Sequence, residues 1–255
     1  MPSDPEVAPL PPHAPVVPPG ANYRRLVTIV ALVAGLILFI IFLPNGIRTA
    51  LWNALLAQWA LDGMIILFAL IAVSLVWSAG QRLDTWVFQL FNLEGNHPVW
   101  LDRFMWLATQ LGSMIAAAAV AGLFLLLRNN NLAIVITLGT LSLWLLVESI
   151  KALTNRARPF LDVKGTHVLG KREPGRSFPS GHTAQTFFLA TLISQQLGQG
   201  AGFTLALYGV AVLVGFTRVY VGVHYPRDVL GGAALGSAWG IVATLINGYW
   251  LNLRF

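Results

Sequence analysis

Three short polar clusters interrupt a chain that is 56% hydrophobic and only 10% charged. The first reads Lys151-Ala-Leu-Thr-Asn-Arg156-Ala-Arg158-Pro159, the second Phe178-Pro179-Ser180-Gly181-His182-Thr183. The third runs from Thr217-Arg218 through Tyr220, Gly222 and His224 to Tyr225-Pro226-Arg227-Asp228. Lysine as a point charge and arginine as a planar fork both suit a cluster of anionic oxygens. Ser180, after a rigid proline, is suited to an N-cap. The free N–H groups of that helix start, opened by the small Gly181, form an anion site beside His182. His224 and Asp228 stand four apart across a proline turn. That spacing lets a carboxylate bond one imidazole nitrogen and leave the other free. Two histidines, one oriented by a carboxylate, then meet three or more cations and a helix N-terminus. In-line phosphoryl transfer needs this set: an attacking base, an acid for the leaving oxygen and donors for the equatorial oxygens. No carboxylate cluster points to a metal site. Each cluster taken singly also has a plainer reading, in which the cations anchor a helix end at lipid headgroups and Ser180 and Asp228 merely cap helices. Tyr225 and Arg227 read as interfacial anchors.

The elements that must position these residues are apolar. Stretches at about 26–43, 61–79, 106–127, 132–150, 184–197, 203–221 and 229–251 mostly approach the roughly 20 residues that cross a hydrocarbon core. The stretch at 184–197 is short unless its helix begins near Ser180. Glycines such as Gly112, Gly122, Gly215, Gly231, Gly232 and Gly236 would weaken soluble helices, but between membrane helices they permit close approach. Residues 81–91 are amphipathic and end in a polar loop, which predicts an interfacial helix. Trp77, Trp86, Trp100, Trp106 and Trp250 sit near span ends as an aromatic belt would, whereas Trp144 lies mid-span. The reading is an all-α polytopic transmembrane bundle of six or seven spans plus an interfacial helix. Topology places all three clusters on one side: the first follows a span, the second precedes the next, and the third returns two spans later.

The formal net charge is +6. Between Lys151 and His182 lie seven basic residues and two acids, so five of those six charges are local to one stretch. A nucleic-acid partner is thereby excluded in favour of a bound anion. The absence of cysteine removes disulfides, thiolate nucleophiles and Cys metal sites. Residues 1–22, with eight prolines, predict a disordered tail. Leu26–Leu43, preceded by Arg24 and Arg25, is too long and lacks the cleavage site of a signal peptide, and so reads as a retained span. The domain reading is a tail at 1–22, an added segment and connection at 23–60, and a catalytic membrane domain at 61–255.

At the three clusters the sequence resembles the type 2 phosphatidic acid phosphatase (PAP2) superfamily of membrane lipid phosphatases. The family's motifs, Lys-x6-Arg-Pro, Pro-Ser-Gly-His and Ser-Arg-x5-His-x3-Asp, read here Lys151-x6-Arg158-Pro159, Pro179-Ser180-Gly181-His182 and Thr217-Arg218-x5-His224-x3-Asp228. Thr217 for serine keeps the hydroxyl. The resemblance spans roughly 61–251, including Leu83-Asp84 and Leu101-Asp102, and implies roles one residue at a time. His224 would attack phosphorus and form a phosphohistidine, with Asp228 orienting it. His182 would protonate the leaving oxygen and later activate water. Lys151, Arg158 and Arg218 would hold the phosphate oxygens, assisted by Ser180 and the Gly181 amide. Arg156 matches a less strict position. Catalysis would need no metal or other cofactor. Glu148, three residues before Lys151, is expected to pair with Lys151 or a nearby arginine. His13, His97 and His167 read as surface-loop residues.

The expected partners are a lipid phosphate and the bilayer. Candidate substrates are undecaprenyl diphosphate, phosphatidylglycerophosphate and phosphatidic acid. Vanadium haloperoxidases share the motifs but not the apolar stretches. A non-enzymatic lipid-binding or transport protein would have the spans but no need for His182, His224 and Asp228 together. Counted by the positive-inside rule, the loop 151–182 is cytoplasmic. The resemblance instead implies a bacterial inner-membrane protein with its site on the extracytoplasmic side. Cations that bind phosphate are weak orientation signals.

Overall fold

The computed structural model describes residues 57–76, 78–92, 97–170, 172 and 175–252, all within one compact unit. The expected tail at 1–22, the span at 26–43, most of the 23–60 segment, His13, Trp77 and the Trp250 side chain lie outside the described residues. Among those described, every regular element is helical: α1 (Trp59–Ser74), α2 (Ser78–Asn92), α3 (Val99–Gln110), α4 (Met114–Leu126), α5 (Asn130–Thr154), the single turn α6 (Pro159–Asp162), α7 (Gly181–Leu197), α8 (Ala201–Tyr220) and α9 (Pro226–Asn252). Three stretches, Asn130–Asp162, Ala201–Tyr220 and Pro226–Gly248, are long and apolar enough to cross a membrane by themselves. Counting two bent helix pairs as spans raises this to five.

The expected span at 106–127 is a bent pair, α3 and α4, meeting at 57°. The break has a local cause. Ser113 caps α4 by accepting from the Ala116 N–H at 3.1 Å. Gly112 lies so close to α7 that a Cβ there would stand 2.8 Å from the His182 Cβ and 2.9 Å from the His182 carbonyl oxygen. The bend therefore sets bare backbone against a site histidine. The amphipathic stretch forms α2 as expected. Its Leu83, Trp86 and Leu90 are exposed, while Asp84, Phe88 and Asn92, one turn apart along the opposite face, are buried.

α7 starts at Gly181, which gives the short apolar stretch its missing turn. It is the innermost helix, with Ala184, Phe188 and Leu192 fully buried in the largest apolar cluster. Its polar side chains are satisfied within the bundle, as a low-dielectric interior requires. Gln185 Nε2 donates to Thr140 Oγ1 at 3.0 Å, Thr186 Oγ1 donates to the His182 carbonyl at 3.1 Å, and Thr191 Oγ1 bonds the Tyr208 hydroxyl at 2.8 Å. α9 lies against it through Gly232, Gly236 and Gly240. A Cβ on these would come within 2.6 Å of the Ser180 carbonyl oxygen, 2.1 Å of the Ala184 carbonyl oxygen and 2.6 Å of the Thr191 Cβ, respectively. This backbone-to-backbone seam fixes α7 and α9 side by side.

A methyl group on the seam has nowhere to go. Gly236→Ala is expected to destabilise the protein by about 1–3 kcal/mol, the scale of overpacking, read as a lower thermal midpoint in detergent. Gly248→Ala, where the added Cβ meets nothing within 4 Å, serves as the neutral control.

Candidate active site

The three clusters converge at one end of the bundle. Lys151 lies in the last turn of α5, which ends at Asn155 in the left-handed conformation (φ 52°) and releases the chain into Arg156–Arg158. Ser180 is the N-cap residue of α7, and its N–H donates to the Asp228 carbonyl at 3.0 Å. Its hydroxyl does not cap the helix. It accepts from Thr183 Oγ1 at 2.9 Å and is fully buried, so the expected side-chain cap is replaced by a hydroxyl pair. His182 follows in the first turn. The α8–α9 turn carries His224, whose N–H donates to the Arg218 carbonyl at 3.2 Å.

A cavity of about 220 Å³ is lined by Lys151, Glu148, Gly181, His182, Gln185 and His224, and walled on its apolar side by Gly112, Met114, Leu143, Trp144 and Val147. Trp144, which breaks the belt pattern, is half-exposed and forms part of that wall. Lys151 Nζ donates to Glu148 Oε1 at 2.8 Å, the pairing expected from their spacing. Arg158 is 2% exposed. Its Nη1 donates to the Val223 carbonyl at 3.1 Å and stands 3.4 Å from His224 Nε2. Arg218, 3% exposed, donates from Nη1 to Thr109 Oγ1 at 2.9 Å.

His224 is thus flanked on both ring nitrogens. Nε2 faces Arg158, and Nδ1 stands 3.7 Å from Asp228 Oδ2, an ion-pair distance rather than a hydrogen bond. Asp228 is fully buried and is held by other donors. Oδ2 accepts from the Tyr225 N–H at 2.8 Å and from the Ser177 hydroxyl, and Oδ1 accepts from Arg156 Nη1 at 2.6 Å. The Tyr225 contact places a carboxylate of the first helical turn on the N–H just before the helix, half of a capping box. Asp228 thus caps the start of α9 while its Oδ2 stands on the Nδ1 side of His224.

Two residues read as interfacial anchors are interior groups. Tyr225 is 1% exposed; its ring lies under the Arg156 guanidinium at 4.4 Å and packs edge-on against Phe88 at 5.7 Å. Burial, and next the Asp162 carboxylate, raise its phenol above the ordinary tyrosine value, so it is neutral under Arg156. Arg227 turns inward to Asp84, donating from Nε to Oδ2 at 2.8 Å and from its backbone N–H to Oδ1 at 3.0 Å. His97 and His167 also differ from free loop residues. Their rings stack 4.5 Å apart, and His97 Nδ1 bonds the Tyr220 hydroxyl at 2.8 Å, which donates in turn to Asp102. Ser177 and Thr109 carried no signal in their immediate sequence context, and Asp84 was marked only as part of the Leu83-Asp84 resemblance, since each meets a partner distant in the chain. Among the described residues no group of three or more His, Cys, Asp or Glu side chains is arranged to hold a metal ion.

Comparison with known proteins agrees with this geometry. Residues 132–251, which hold all three clusters, match the model of the PAP2 superfamily. The chain is 28% identical over 180 residues to an undecaprenyl-diphosphatase of Sulfolobus acidocaldarius, covering 68% of this chain and 84% of that protein. Among solved structures it resembles the transmembrane PAP2-type phosphatidylglycerolphosphate phosphatase of Bacillus subtilis, with 25% identity, a TM-score of 0.64, and 74% and 96% of the two chains covered. It also resembles Aquifex aeolicus LpxE, with 32% identity, a TM-score of 0.56, and 62% and 92% covered. Motifs, helical architecture and relatives agree, and the chain belongs to the PAP2 superfamily.

Proposed function

We propose that the protein hydrolyses the terminal phosphate of a membrane lipid phosphate or diphosphate through a phosphohistidine on His224, without a metal ion. The observation that carries this reading is the placement of His224: Asp228 lies on its Nδ1 side, Arg158 on its Nε2 side, and the ring faces a cavity shared with His182 and Lys151. In this mechanism the Asp228 carboxylate favours a proton on Nδ1 and leaves the Nε2 lone pair for attack. Nε2 bonds to phosphorus in line with the departing oxygen. His182 gives its proton to that oxygen as the P–O bond breaks. His182 then takes a proton from water, which attacks the phosphohistidine, releases inorganic phosphate and restores His224. Lys151, Arg158, Arg218 and the Gly181 amide neutralise the equatorial oxygens, with Ser180 assisting.

The apolar wall formed by Met114, Leu143, Trp144 and Val147 supports a lipid substrate, since a tail can lie along it while the headgroup meets Lys151. Undecaprenyl diphosphate, phosphatidylglycerophosphate and phosphatidic acid are the substrates to test. The names of the first and second relatives above favour the first two. We further propose six or seven spans with α2 at the interface, a domain division of 1–22, 23–60 and 61–255, and a site on the extracytoplasmic side of a bacterial inner membrane.

Phosphate release from these three lipids in detergent tests the reading. His224→Ala is expected to abolish turnover, and chelation of divalent cations is expected to leave wild-type turnover intact. Equal rates for wild type and His224→Ala would overturn the mechanism. Glu148 provides a second test. Its side chain is half-exposed, so its pair with Lys151 contributes no more than about 1 kcal/mol to stability. Glu148 is nevertheless the anion paired with Lys151, and an incoming phosphate must displace it to reach that charge. Glu148→Gln is therefore expected to leave the thermal midpoint unchanged and to lower KM by at most about fivefold, the kinetic equivalent of that pair.

A further inference from the structure

The catalytic carboxylate is connected to the interfacial helix. Arg156 lies between two buried acids, Asp228 at the start of α9 and Asp84 on α2, which are 0% and 3% exposed. The two terminal nitrogens of its guanidinium are divided between them. Nη1 donates to Asp228 Oδ1 at 2.6 Å, whereas Nη2 donates to Asp84 Oδ2 and to Gln81 Oε1, the latter at 2.8 Å. Arg227 closes the group from the α9 side, with Nε on Asp84 Oδ2 at 2.8 Å and Nη2 3.4 Å from Gln81 Oε1. Along this path the charges alternate: Asp228, Arg156, Asp84, Arg227.

This division matters because an arginine facing one carboxylate prefers to bind it bidentately, with two parallel N–H bonds. Such a fork on Asp228 would occupy both of its oxygens. Oδ2 is the oxygen that faces His224 Nδ1. With Nη2 engaged by Asp84 and Gln81, Arg156 reaches only Oδ1, and Oδ2 is left to Ser177, the Tyr225 N–H and the histidine. The negative charge of Asp84 also offsets that of Arg156, so Asp228 acts on His224 with more of its own charge.

We infer that Asp84 is a positioning residue for the reaction, acting through Arg156 to keep Asp228 oriented and charged toward His224. The inference rests on the phosphatase reading above. The groups that set the outcome are Asp84 and Gln81 on α2, Arg156 and Arg158 after α5, Asp162 on α6, Ser177 in the loop before α7, and Tyr225, Arg227 and Asp228 around the start of α9. His182 and Lys151 face His224 across the cavity. Removing the Asp84 charge makes the field at His224 more positive. Its imidazole then loses its proton at lower pH and is a weaker nucleophile, while the cations that bind phosphate are untouched.

The test is the pH dependence of phosphate release in detergent, using whichever of undecaprenyl diphosphate, phosphatidylglycerophosphate and phosphatidic acid the wild type hydrolyses fastest. Asp84→Asn is expected to lower kcat about tenfold, the scale on which outer partners of a functional group act, with KM within about twofold of wild type. The acidic limb of kcat/KM is expected to move to lower pH, and Asp84→Glu to return that limb to its wild-type position. Gln81→Glu, a mild change at a partly exposed site, adds a carboxylate on Arg156 Nη2 and is expected to move the limb to higher pH; it decides the matter if Asp84→Asn does not fold. Wild-type limbs in the folded variants, or losses that are equal for Asn and Glu at position 84, would overturn the role. Absence of phosphate release by the wild type would overturn the phosphatase reading and this role with it.

Discussion

Asp228 has no exposed surface, and a buried charge is tolerated only when every side of it is met by a donor or an opposite charge. Much of the structure around the site satisfies that condition. The loop after α5 delivers Arg156, the loop before α7 delivers Ser177, and the turn into α9 turns its own Tyr225 N–H back onto the carboxylate. Arg156 brings a positive charge inside with it, and α2 answers with Asp84. The last groups in the series, Arg227 and Ser74, are joined when Arg227 Nη1 donates to the Ser74 carbonyl at 2.6 Å. A single functional carboxylate thus dictates the contacts of five chain segments that are far apart in sequence.

The stripe Asp84, Phe88 and Asn92 shows how economically one helix takes part. Phe88 packs against the Tyr225 ring, and Asn92 Nδ2 donates to the Tyr220 and His167 carbonyls, both at 2.8 Å. The same helix turns Leu83, Trp86 and Leu90 outward. The buried face of this amphipathic helix carries its polar Asp84 and Asn92 beside Phe88, and its exposed face is largely apolar, the reverse of the arrangement in a soluble bundle.

The grouping of the candidate site residues was legible in the sequence to the extent that it is local. Lys151, Gly181, His182 and His224 are brought to one cavity because their spacing at helix ends determines where they must lie. The early start of α7, although without the expected Ser180 side-chain cap, and the amphipathic nature of α2 followed from local sequence for the same reason. Features that depend on distant partners were not legible. Nothing near Arg227 or Tyr225 distinguishes an interfacial anchor from an interior group; Asp84 and Ser74, both more than a hundred residues away, hold Arg227 inward. The break between α3 and α4 was hidden because Ile115 and its neighbours continue the apolar run past the Ser113 cap, and because the close approach of Gly112 to His182 involves another helix. His97 and His167 looked like loop residues because their mutual stacking joins two separate loops.

The glycine seam between α7 and α9 has one more consequence. His182 rides on one of these helices, Asp228 on the other, and their separation is set where Gly232, Gly236 and Gly240 bring two backbones into hard contact. Repulsion between atoms in van der Waals contact has no Debye length and no titration midpoint. The charges around the site depend on the protonation of the groups that carry them, whereas the backbone contact of the seam does not. In engineering terms the helix pair acts as a gauge block that sets the spacing between His182 and Asp228 by contact rather than by charge.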